Sequence, residues 1–241
     1  MLDTAPSKQA AAWLESFGRA LETADAEAAL RLFSQDCYWR DLLAFTWNIR
    51  TMEGQPAIRA MLEVTLAGVK PSGWRLTGEA TSDEGTVEAW FTFETASARG
   101  EGCLRLRDSK CRTLFTAMRD LRGFEERRGP MRPLGVRHKA DPDRETWSEA
   151  RAREARDLGV REQPYCLVIG GGQGGIMLGA RLRQLGVPAL VIEKNARPGD
   201  SWRNRYRSLV LHDPVWYDHL PYIPFPENWP VFTPKDKMGD W

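Results

Sequence analysis

The spacing of apolar residues near the start of the chain predicts two helices. Trp13, Phe17 and Leu21 recur every four residues, which places them on one face of a helix, with Ser7 as a candidate N-cap. Asp25 is a candidate N-cap for a second helix that follows directly. The pattern therefore predicts two amphipathic helices, each with one face turned inward.

A third helix is predicted from Pro56, after which the pattern changes to that of strands. Between positions 87 and 94, apolar and polar residues alternate, which is typical of a half-buried strand. Two further strands are predicted over 102–107 and 111–118, joined by a short polar turn. Helices followed by an antiparallel meander predict an α+β domain over residues 1–126.

The stretch 165–193 has a different pattern. A short apolar run at 165–169 is followed by six residues that read G-G-G-Q-G-G, and then by apolar residues at helical spacing. A second apolar run at 189–192 ends at Glu193. Strand, glycine turn, helix and strand within about 30 residues predict a βαβ unit.

Three glycines of this motif have distinct physical roles. Gly170 permits a tight turn, Gly172 lets the backbone approach a pyrophosphate, and Gly175 allows close packing of helix on strand. Glu193 follows the last glycine of the motif at nearly the spacing of about 20 residues that is expected for a carboxylate that accepts a hydrogen bond from a ribose hydroxyl. These features favour dinucleotide binding over a glycine loop without a ligand, and FAD or NAD over NADP.

Composition excludes several functional classes. The chain has 241 residues, and its 34 basic and 33 acidic residues give a net charge of +1, so neither nucleic acid nor a membrane surface is an expected partner. The four cysteines lack C-x-x-C spacing, and we expect reduced thiols and no metal site. No signal peptide or long apolar run is evident, which predicts a cytoplasmic protein.

The residues between the two patterned regions predict a linker. Prolines, glycine and arginines interrupt the strand pattern after position 126, and the segment 145–158 mixes acidic, basic and alanine residues. We therefore predict three parts: an α+β domain over 1–126, a linker with a solvated helix over 127–163, and a nucleotide-binding domain over 164–241.

From Tyr165 onward the sequence resembles the flavin-containing monooxygenases. The resemblance rests on ordered motifs: G-G-G-Q-G-G, L-V-I-E-K, P-G-D-S-W-R-x-R-Y, L-x-L-H-x-P and L-P-Y-x-P-F-P. It covers about the last third of the chain and is strongest for the YUCCA-like branch and its bacterial relatives, some of which carry an NTF2-like domain in front. It implies that the second domain is a Rossmann-type FAD-binding domain.

The resemblance assigns residues to an FAD site. The glycine motif would hold the diphosphate, Glu193 with Lys194 beside it would hold the adenosine ribose, and a second turn would lie near the flavin. His212 stands where animal-type members place an asparagine, and a catalytic role for it is a tentative hypothesis. The residues that the resemblance places at the cofactor are Gly170, Gly172, Gln173, Gly174, Gly175, Glu193, Lys194, Gly199, Trp202 and His212.

The resemblance also implies a reaction. NADPH would reduce FAD, and a flavin peroxide formed with O₂ would oxygenate a small organic substrate. The family carries a second glycine motif for NADPH, which we expect downstream of this chain. Because two evident strands leave open sheet edges, we expect an incomplete FAD domain. The chain is then the N-terminal fragment of a longer enzyme and is inactive alone.

The first domain resembles the NTF2-like, or SnoaL-like, cone. The resemblance rests on the order of elements, with a strand over 36–41 after two helices. Asp36, Tyr38 and Asp41 are candidate acid–base groups in a cone pocket, although a role as strand-end caps and solvated charges is favoured. Two alternatives to the monooxygenase follow. One is a non-catalytic module for binding or homodimerisation, and the other is a small-molecule isomerase or dehydratase.

Overall fold

The computed structural model describes residues 5–135, 140–141 and 143–241. The chain forms two compact units, Met1–Glu125 and Glu126–Trp241. We refer to them as unit 1 and unit 2. The segment predicted as a linker falls in unit 2, and its residues 136–139 and 142 lie outside the described residues.

Unit 1 combines three helices with one curved sheet, which confirms the predicted α+β class. The helices are α1 (Ala5–Glu22), α2 (Ala26–Leu30) and α3 (Gly54–Val69). The strands are β1 (Phe33–Leu42), β2 (Ile49–Glu53), β3 (Ser72–Leu76), β4 (Thr81–Asp83), β5 (Thr86–Glu94), β6 (Ala98–Arg107) and β7 (Lys110–Leu121). The strand order is β2-β1-β7-β6-β5-β3, with β4 paired to β5. All pairs are antiparallel except β1 with β7.

The core of unit 1 is built from aromatic rings between the helices and one sheet face. Trp13 and Phe17 on α1 stack with ring centroids 4.7 Å apart, and Phe17 meets Trp39 of β1 edge-on at 5.6 Å. Trp39 in turn meets Phe45 at 4.9 Å. Such offset and edge-on contacts stabilise the packing beyond the area that each ring buries. The predicted inward face of the first helix is therefore confirmed.

The predicted helix caps differ in their outcomes. Asp25 caps α2 as predicted, because its carboxylate accepts the backbone N–H of Ala28 at 2.8 Å. Ser7 does not cap α1, which begins before it; the Ser7 hydroxyl is buried and accepts the backbone N–H of Ala80 at 3.0 Å. That prediction was wrong because the bonding partner is distant in sequence and no local pattern shows it.

Unit 2 contains short elements around one βαβ unit. Its elements are a 3₁₀ turn (Gly129–Met131), α4 (Trp147–Asp157), β8 (Cys166–Ile169), α5 (Gln173–Gln184), β9 (Ala189–Ile192), α6 (Asp200–Arg203) and α7 (Lys235–Asp240). Strands β8 and β9 run parallel, with Cys166 opposite Ala189 and Ile169 opposite Ile192. Among the residues that the structure describes, no other strand joins these two.

Helix α4 has the solvated character that its composition predicts. None of its residues is buried, and Thr146 and Glu149 form a capping box at its start. The Thr146 hydroxyl accepts the backbone N–H of Glu149, and the Glu149 carboxylate accepts the backbone N–H of Thr146, which satisfies donors that the first turn leaves free. None of the described helices is long and apolar enough to cross a membrane.

Candidate functional site

The glycine turn joins β8 to α5 at the carboxyl end of the two parallel strands. Gly170 has a φ of +103°, a conformation that residues with a Cβ rarely adopt. Its N–H donates to the carbonyl of Ile192 at 2.8 Å, which extends the hydrogen bonding between β8 and β9 to the start of the turn. Gly172 then occupies the N-cap position of α5 without a side-chain cap. The first N–H groups of this helix therefore lack a local side-chain partner.

The last glycine of the motif is required by packing. A Cβ on Gly175 would lie 1.8 Å from the carbonyl oxygen of Gly170, far inside contact distance. Gly174 is different, since a Cβ there would meet nothing within 4 Å, and one on Gly172 would meet only the Ser201 hydroxyl at 3.9 Å. The backbone at Gly172 and Gly174 is thus open to an approaching group, whereas Gly175 fixes α5 close to the strand.

Glu193 lies at the glycine turn, where the sequence predicts it. Its Oε2 accepts the backbone N–H of Gly171 at 2.6 Å, and its Oε1 accepts both the N–H and the Nδ2 of Asn195, at 2.9 and 2.6 Å. The hydrogen bonds from the Asn195 and Gly171 backbones lower the pKa of this carboxyl below its usual range. An exposed, ionised carboxylate therefore stands directly beside the turn.

Two residues at this turn were missed by reasoning from the sequence. Asn195 orients Glu193 through the two hydrogen bonds just described, and Ser201 of α6 places its hydroxyl near Gly172. Asn195 carries a usable signal, because asparagine commonly forms local side-chain hydrogen bonds in turns. The position of Ser201 depends on how α6 folds back, which no local pattern shows.

The second glycine turn has a clear packing role. Gly199 has a φ of +86°, and a Cβ there would lie 2.0 Å from the carbonyl oxygen of Gly239 in α7. Arg203 joins the same two helices, since it donates to the carbonyl of Pro198 and to the Asp240 carboxylate, each at 2.8 Å. Gly199 is therefore needed to bring α6 and α7 into contact. This packing role is separate from its predicted position near the flavin.

The remaining residues predicted at the cofactor are less closely connected to the glycine turn. Trp202 is half-buried on α6, one residue after Ser201, and Lys194 is exposed beside Glu193. His212 is exposed in the irregular segment between α6 and α7. No hydrogen bond or ion pair among the described residues joins His212 to the glycine turn, and its catalytic role stays a prediction.

The geometry at α5 suits an anion beside a polyhydroxyl group. Unpaired N–H groups and the positive end of the helix dipole attract phosphate oxygens. An ionised carboxylate accepts hydrogen bonds from sugar hydroxyls and repels a phosphate attached to that sugar. Below the turn, a cavity of about 1150 Å³ runs along β9 and includes Gly171, Glu193 and Arg197 in its lining. This unit can therefore hold a diphosphate and an unphosphorylated ribose side by side.

The candidate acid–base residues of unit 1 do not form a pocket site. Asp41 is fully buried, and its carboxylate accepts hydrogen bonds from the Thr116 hydroxyl at 2.7 Å and from the Thr46 backbone at 2.9 Å. Tyr38 lies on the opposite face of β1, and Asp36 pairs with exposed Arg112. Asp36 also interacts with Tyr38, because its negative charge and a side-chain hydrogen bond raise the pKa of the Tyr38 hydroxyl. The structure therefore keeps these two residues together, separates Asp41 from them and gives Asp41 a capping role inside the domain.

No cluster in the described part of the chain suggests a metal site. Groups of three or more His, Cys, Asp or Glu side chains that could hold a metal ion are not found among the described residues. No protein-family profile matches the chain.

Curated proteins with similar sequences include indole-3-pyruvate monooxygenases and an oxidoreductase. The chain is 38% identical over 88 residues to the indole-3-pyruvate monooxygenase YUCCA1 of Oryza sativa subsp. japonica, a stretch that covers 36% of this chain and 21% of that protein. It is 39% identical over 75 residues to an uncharacterized CzcO-like oxidoreductase of Geobacillus kaustophilus, covering 31% and 22%. The chain thus spans about a fifth of the length of these relatives, and the resemblance to the YUCCA-like proteins is confirmed.

Solved structures with similar shape cover about half of the chain. A ketosteroid isomerase-like protein from Erwinia carotovora atroseptica matches with a TM-score of 0.41 and 9% identity, covering 48% of this chain and 98% of that one. An NTF2-like protein with a cystatin-like fold from Novosphingobium aromaticivorans matches with a TM-score of 0.37 and 16% identity, covering 47% and 81%. The NTF2-like assignment of unit 1 stays a prediction.

Proposed function

We propose that unit 2 binds the ADP portion of FAD. The observation that carries this proposal is the hydrogen bond between Glu193 and Gly171, which sets a carboxylate against the opening of α5. A dinucleotide site consists of a carboxylate that binds the ribose and a helix N-terminus that binds the diphosphate. Here a single hydrogen bond connects the carboxylate to the turn that precedes the helix.

The residues present fit the cofactor. The open backbone at Gly172 and Gly174 leaves room for a diphosphate, and the packing at Gly175 holds the helix where its N–H groups reach that diphosphate. Glu193 would accept the ribose hydroxyls, with Asn195 holding its carboxylate in place. FAD, when bound, supplies the redox chemistry, and the protein contributes binding, orientation and electrostatics.

For the longer protein, we propose an FAD- and NADPH-dependent monooxygenase that acts on a small organic substrate. The support is the similarity to proteins named indole-3-pyruvate monooxygenases and to a CzcO-like oxidoreductase. The chain spans about a fifth of the length of those relatives, and we propose that it supplies the N-terminal part of the enzyme. An NADPH site in the remainder and a cytoplasmic location are parts of the same proposal.

A separate isomerase or dehydratase activity in unit 1 has less support. Such chemistry needs an acid–base group that reaches a substrate, and the carboxylate of Asp41 is enclosed and occupied by protein donors. We therefore propose that unit 1 serves binding or assembly, and that the flavin chemistry belongs to the fold that unit 2 begins.

Competition between two nucleotides tests the proposal. FAD binding to the purified chain is followed by quenching of flavin fluorescence, and ADP-ribose is compared with 2′-phospho-ADP-ribose as a displacing ligand. We expect saturable FAD binding that ADP-ribose displaces at least about tenfold better than its phosphorylated analogue, because Glu193 repels the added phosphate. Equal displacement by both, or no saturable binding, would contradict the site.

A further inference from the structure

The outer face of the unit 1 sheet, which points away from its helices, carries a cavity with aromatic walls. The cavity has a volume of about 340 Å³, and its lining includes Tyr38, Trp90 and Phe115. Trp90 is 47% exposed and Tyr38 is 39% exposed, although alternate residues of the same strands are buried in the core. Trp90 meets Phe115 edge-on, with ring centroids 6.5 Å apart. Exposed aromatic side chains grouped around a cavity are typical of a site that binds an apolar ring.

The strand register gives the cavity an aromatic end and a cationic end. Arg40, Phe115, Cys103 and Trp90 form one row, because they are opposite one another on the neighbouring strands β1, β7, β6 and β5. Neighbouring strands are about 4.8 Å apart, so the backbones of Arg40 and Trp90 are about 14 Å apart at the two ends of the row. Tyr38 lies beside this row, two residues before Arg40 on β1.

The middle of the row is uncharged. Cys103 lies there, between Trp90 and Phe115, and its thiol is half-buried. Burial, with a smaller contribution from the charge of Glu88, raises the pKa of this thiol to about 11. The thiol is therefore protonated at neutral pH and neither repels an anion nor binds a cation.

Two arginines contribute to the lining of the cavity, and their charges are balanced differently. Arg105 forms an ion pair with Glu88 at 2.6 Å, which neutralises its charge locally. The Nη1 of Arg40 donates to the neutral hydroxyl of Thr51 at 2.7 Å. Over the residues that the structure describes, no ion pair joins Arg40 to an acidic side chain.

The carboxylates near Tyr38 do not neutralise Arg40. Asp36 interacts with the Tyr38 hydroxyl and forms an ion pair with Arg112 at 3.0 Å. Glu53 is opposite Tyr38 on the edge strand β2, whereas Arg40 is opposite Thr51. The cavity therefore has a net positive charge, which is located at the Arg40 end.

We infer that this cavity binds a small aromatic carboxylate, with its ring against Trp90 and its carboxylate on Arg40. A guanidinium group binds a carboxylate through two parallel N–H bonds, and an inserted ring removes the exposed aromatic side chains from water. A volume of about 340 Å³ is at the small end for ligand sites, which limits the ligand to one or two fused rings. A neutral ring would leave Arg40 without a partner, and Arg40 would repel an aromatic cation.

Calorimetric titration of the full chain with three related probes tests the inference. 2-Naphthoate carries the ring and the carboxylate, 2-naphthalenemethanol is its neutral counterpart, and 2-naphthylmethylammonium is its cationic counterpart. We expect saturable binding of 2-naphthoate, at least about tenfold tighter than that of the alcohol, because hydrogen bonds between ionised groups add to the ring contact. The ammonium probe should bind more weakly than the alcohol, because Arg40 repels it.

Two substitutions separate the contributions of the two ends of the cavity. Arg40→Met keeps an unbranched side chain and removes the charge. It should weaken 2-naphthoate binding at least about tenfold and change the affinity for the alcohol by less than about twofold. Trp90→Ala removes the ring contact and should weaken the binding of both probes at least about tenfold. Retained binding of the alcohol shows that the Arg40→Met variant is folded.

Arg75→Met is the matched control. Arg75 is exposed and opposite Thr92 on β5, so it lies on the same face of the sheet but outside the lining of the cavity. This variant should bind all three probes as the natural chain does. Equal affinity for the three probes, no saturable binding of 2-naphthoate, or an Arg40→Met variant that binds 2-naphthoate as tightly as the natural chain would overturn the inference.

The inference does not depend on FAD binding by unit 2. An excess of FAD should leave the affinity for 2-naphthoate unchanged, because the cavity belongs to unit 1. Competition between FAD and 2-naphthoate would place the probe in unit 2 and contradict the inference. If FAD itself fails to bind, the expected results for the three probes and for the variants stay the same.

Discussion

Glu193 accepts the backbone N–H of Gly171 at 2.6 Å, and this bond joins the end of β9 to the turn that follows β8. The two strands are neighbours in the sheet, so their carboxyl ends place a carboxylate and a helix N-terminus at one edge.

Gly175→Ala should disrupt the βαβ unit. The added Cβ would lie 1.8 Å from the Gly170 carbonyl oxygen, so α5 must move away from the strand. We expect loss of FAD quenching and faster hydrogen exchange in α5. Gly174→Ala is the matched control for hydrogen exchange, because a Cβ there meets nothing within 4 Å and alanine favours helix. Equal exchange rates in the two variants would show that close packing at Gly175 is not required.

Glu193→Ala should weaken nucleotide binding and change its selectivity. Without the carboxylate, the ribose hydroxyls lose their acceptor and the added phosphate of 2′-phospho-ADP-ribose is no longer repelled. We expect ADP-ribose to bind about tenfold more weakly and the two nucleotides to become nearly equal competitors. Glu227→Ala, which removes an exposed carboxylate elsewhere in unit 2, is the control for a general change in charge. Unchanged selectivity after removal of Glu193 would place the ribose elsewhere.

Asp41→Asn should destabilise unit 1. One oxygen of the Asp41 carboxylate accepts a hydrogen bond from the Thr116 hydroxyl, and this hydroxyl accepts one from the indole N–H of Trp39 at 2.8 Å. The other oxygen accepts the backbone N–H of Thr46. The amide of asparagine has only one oxygen and therefore cannot accept both hydrogen bonds. We expect a loss of about 2 kcal/mol in the free energy of unfolding, measured by chemical denaturation of the full chain. Asp36→Asn, at an exposed ion pair, should change it by less than about 1 kcal/mol. Similar effects of the two changes would contradict the capping role of Asp41.

Glu126→Gln should destabilise unit 2 in a pH-dependent way. The Glu126 side chain is only 3% exposed and bonds to Arg128, Arg181 and Tyr222. Burial disfavours its charge, but the hydrogen bonds from Tyr222 and Arg128 and the two guanidinium charges outweigh burial and lower its pKa. We expect the change to glutamine to cost about 2 kcal/mol at neutral pH.

The sign of the pH effect follows from the lowered pKa of Glu126. The stabilisation is fully present above the unfolded-state pKa of about 4.3 and is lost as the pH falls through the lower folded-state pKa. The difference in melting temperature between the natural chain and the variant should therefore be constant from pH 5 to 8, which lies about one unit or more above the unfolded-state pKa. The difference should shrink towards pH 3, which lies about one unit below the unfolded-state pKa. A difference that grows on acidification would contradict this account, and half-exposed Glu154 is the control position.

Periodic patterns predicted the elements that depend on local spacing. Helices α1 and α3 and the long strands β5, β6 and β7 were predicted because each contains enough residues for an apolar face to repeat, whereas the five-residue α2 was predicted from its cap, Asp25. Strands β2, β3 and β4 have three to five residues each and were not predicted. The parallel pairing of β1 with β7 joins parts of the chain about 75 residues apart, for which no local pattern exists.

The same distinction holds for the site. The glycine turn and Glu193 were predicted because the βαβ motif fixes their spacing, and the structure brings them into hydrogen-bond contact. The capping role favoured for Asp41 is found in the structure, but its partner Thr116 could not be assigned from the sequence, because it is 75 residues away. Gly199 was predicted at the flavin on resemblance alone, and its contact with Gly239 shows a structural requirement that the motif does not express.

The most direct test of the central claim is a spectrum of the full chain labelled with ¹⁵N at glycine and titrated with FAD. If the amides that open α5 hold the diphosphate, the resonances of Gly171, Gly172 and Gly174 should shift together and saturate, while that of Gly18 in unit 1 stays in place. Saturable binding that leaves these three resonances unmoved, or no shift at any FAD concentration, would contradict the claim.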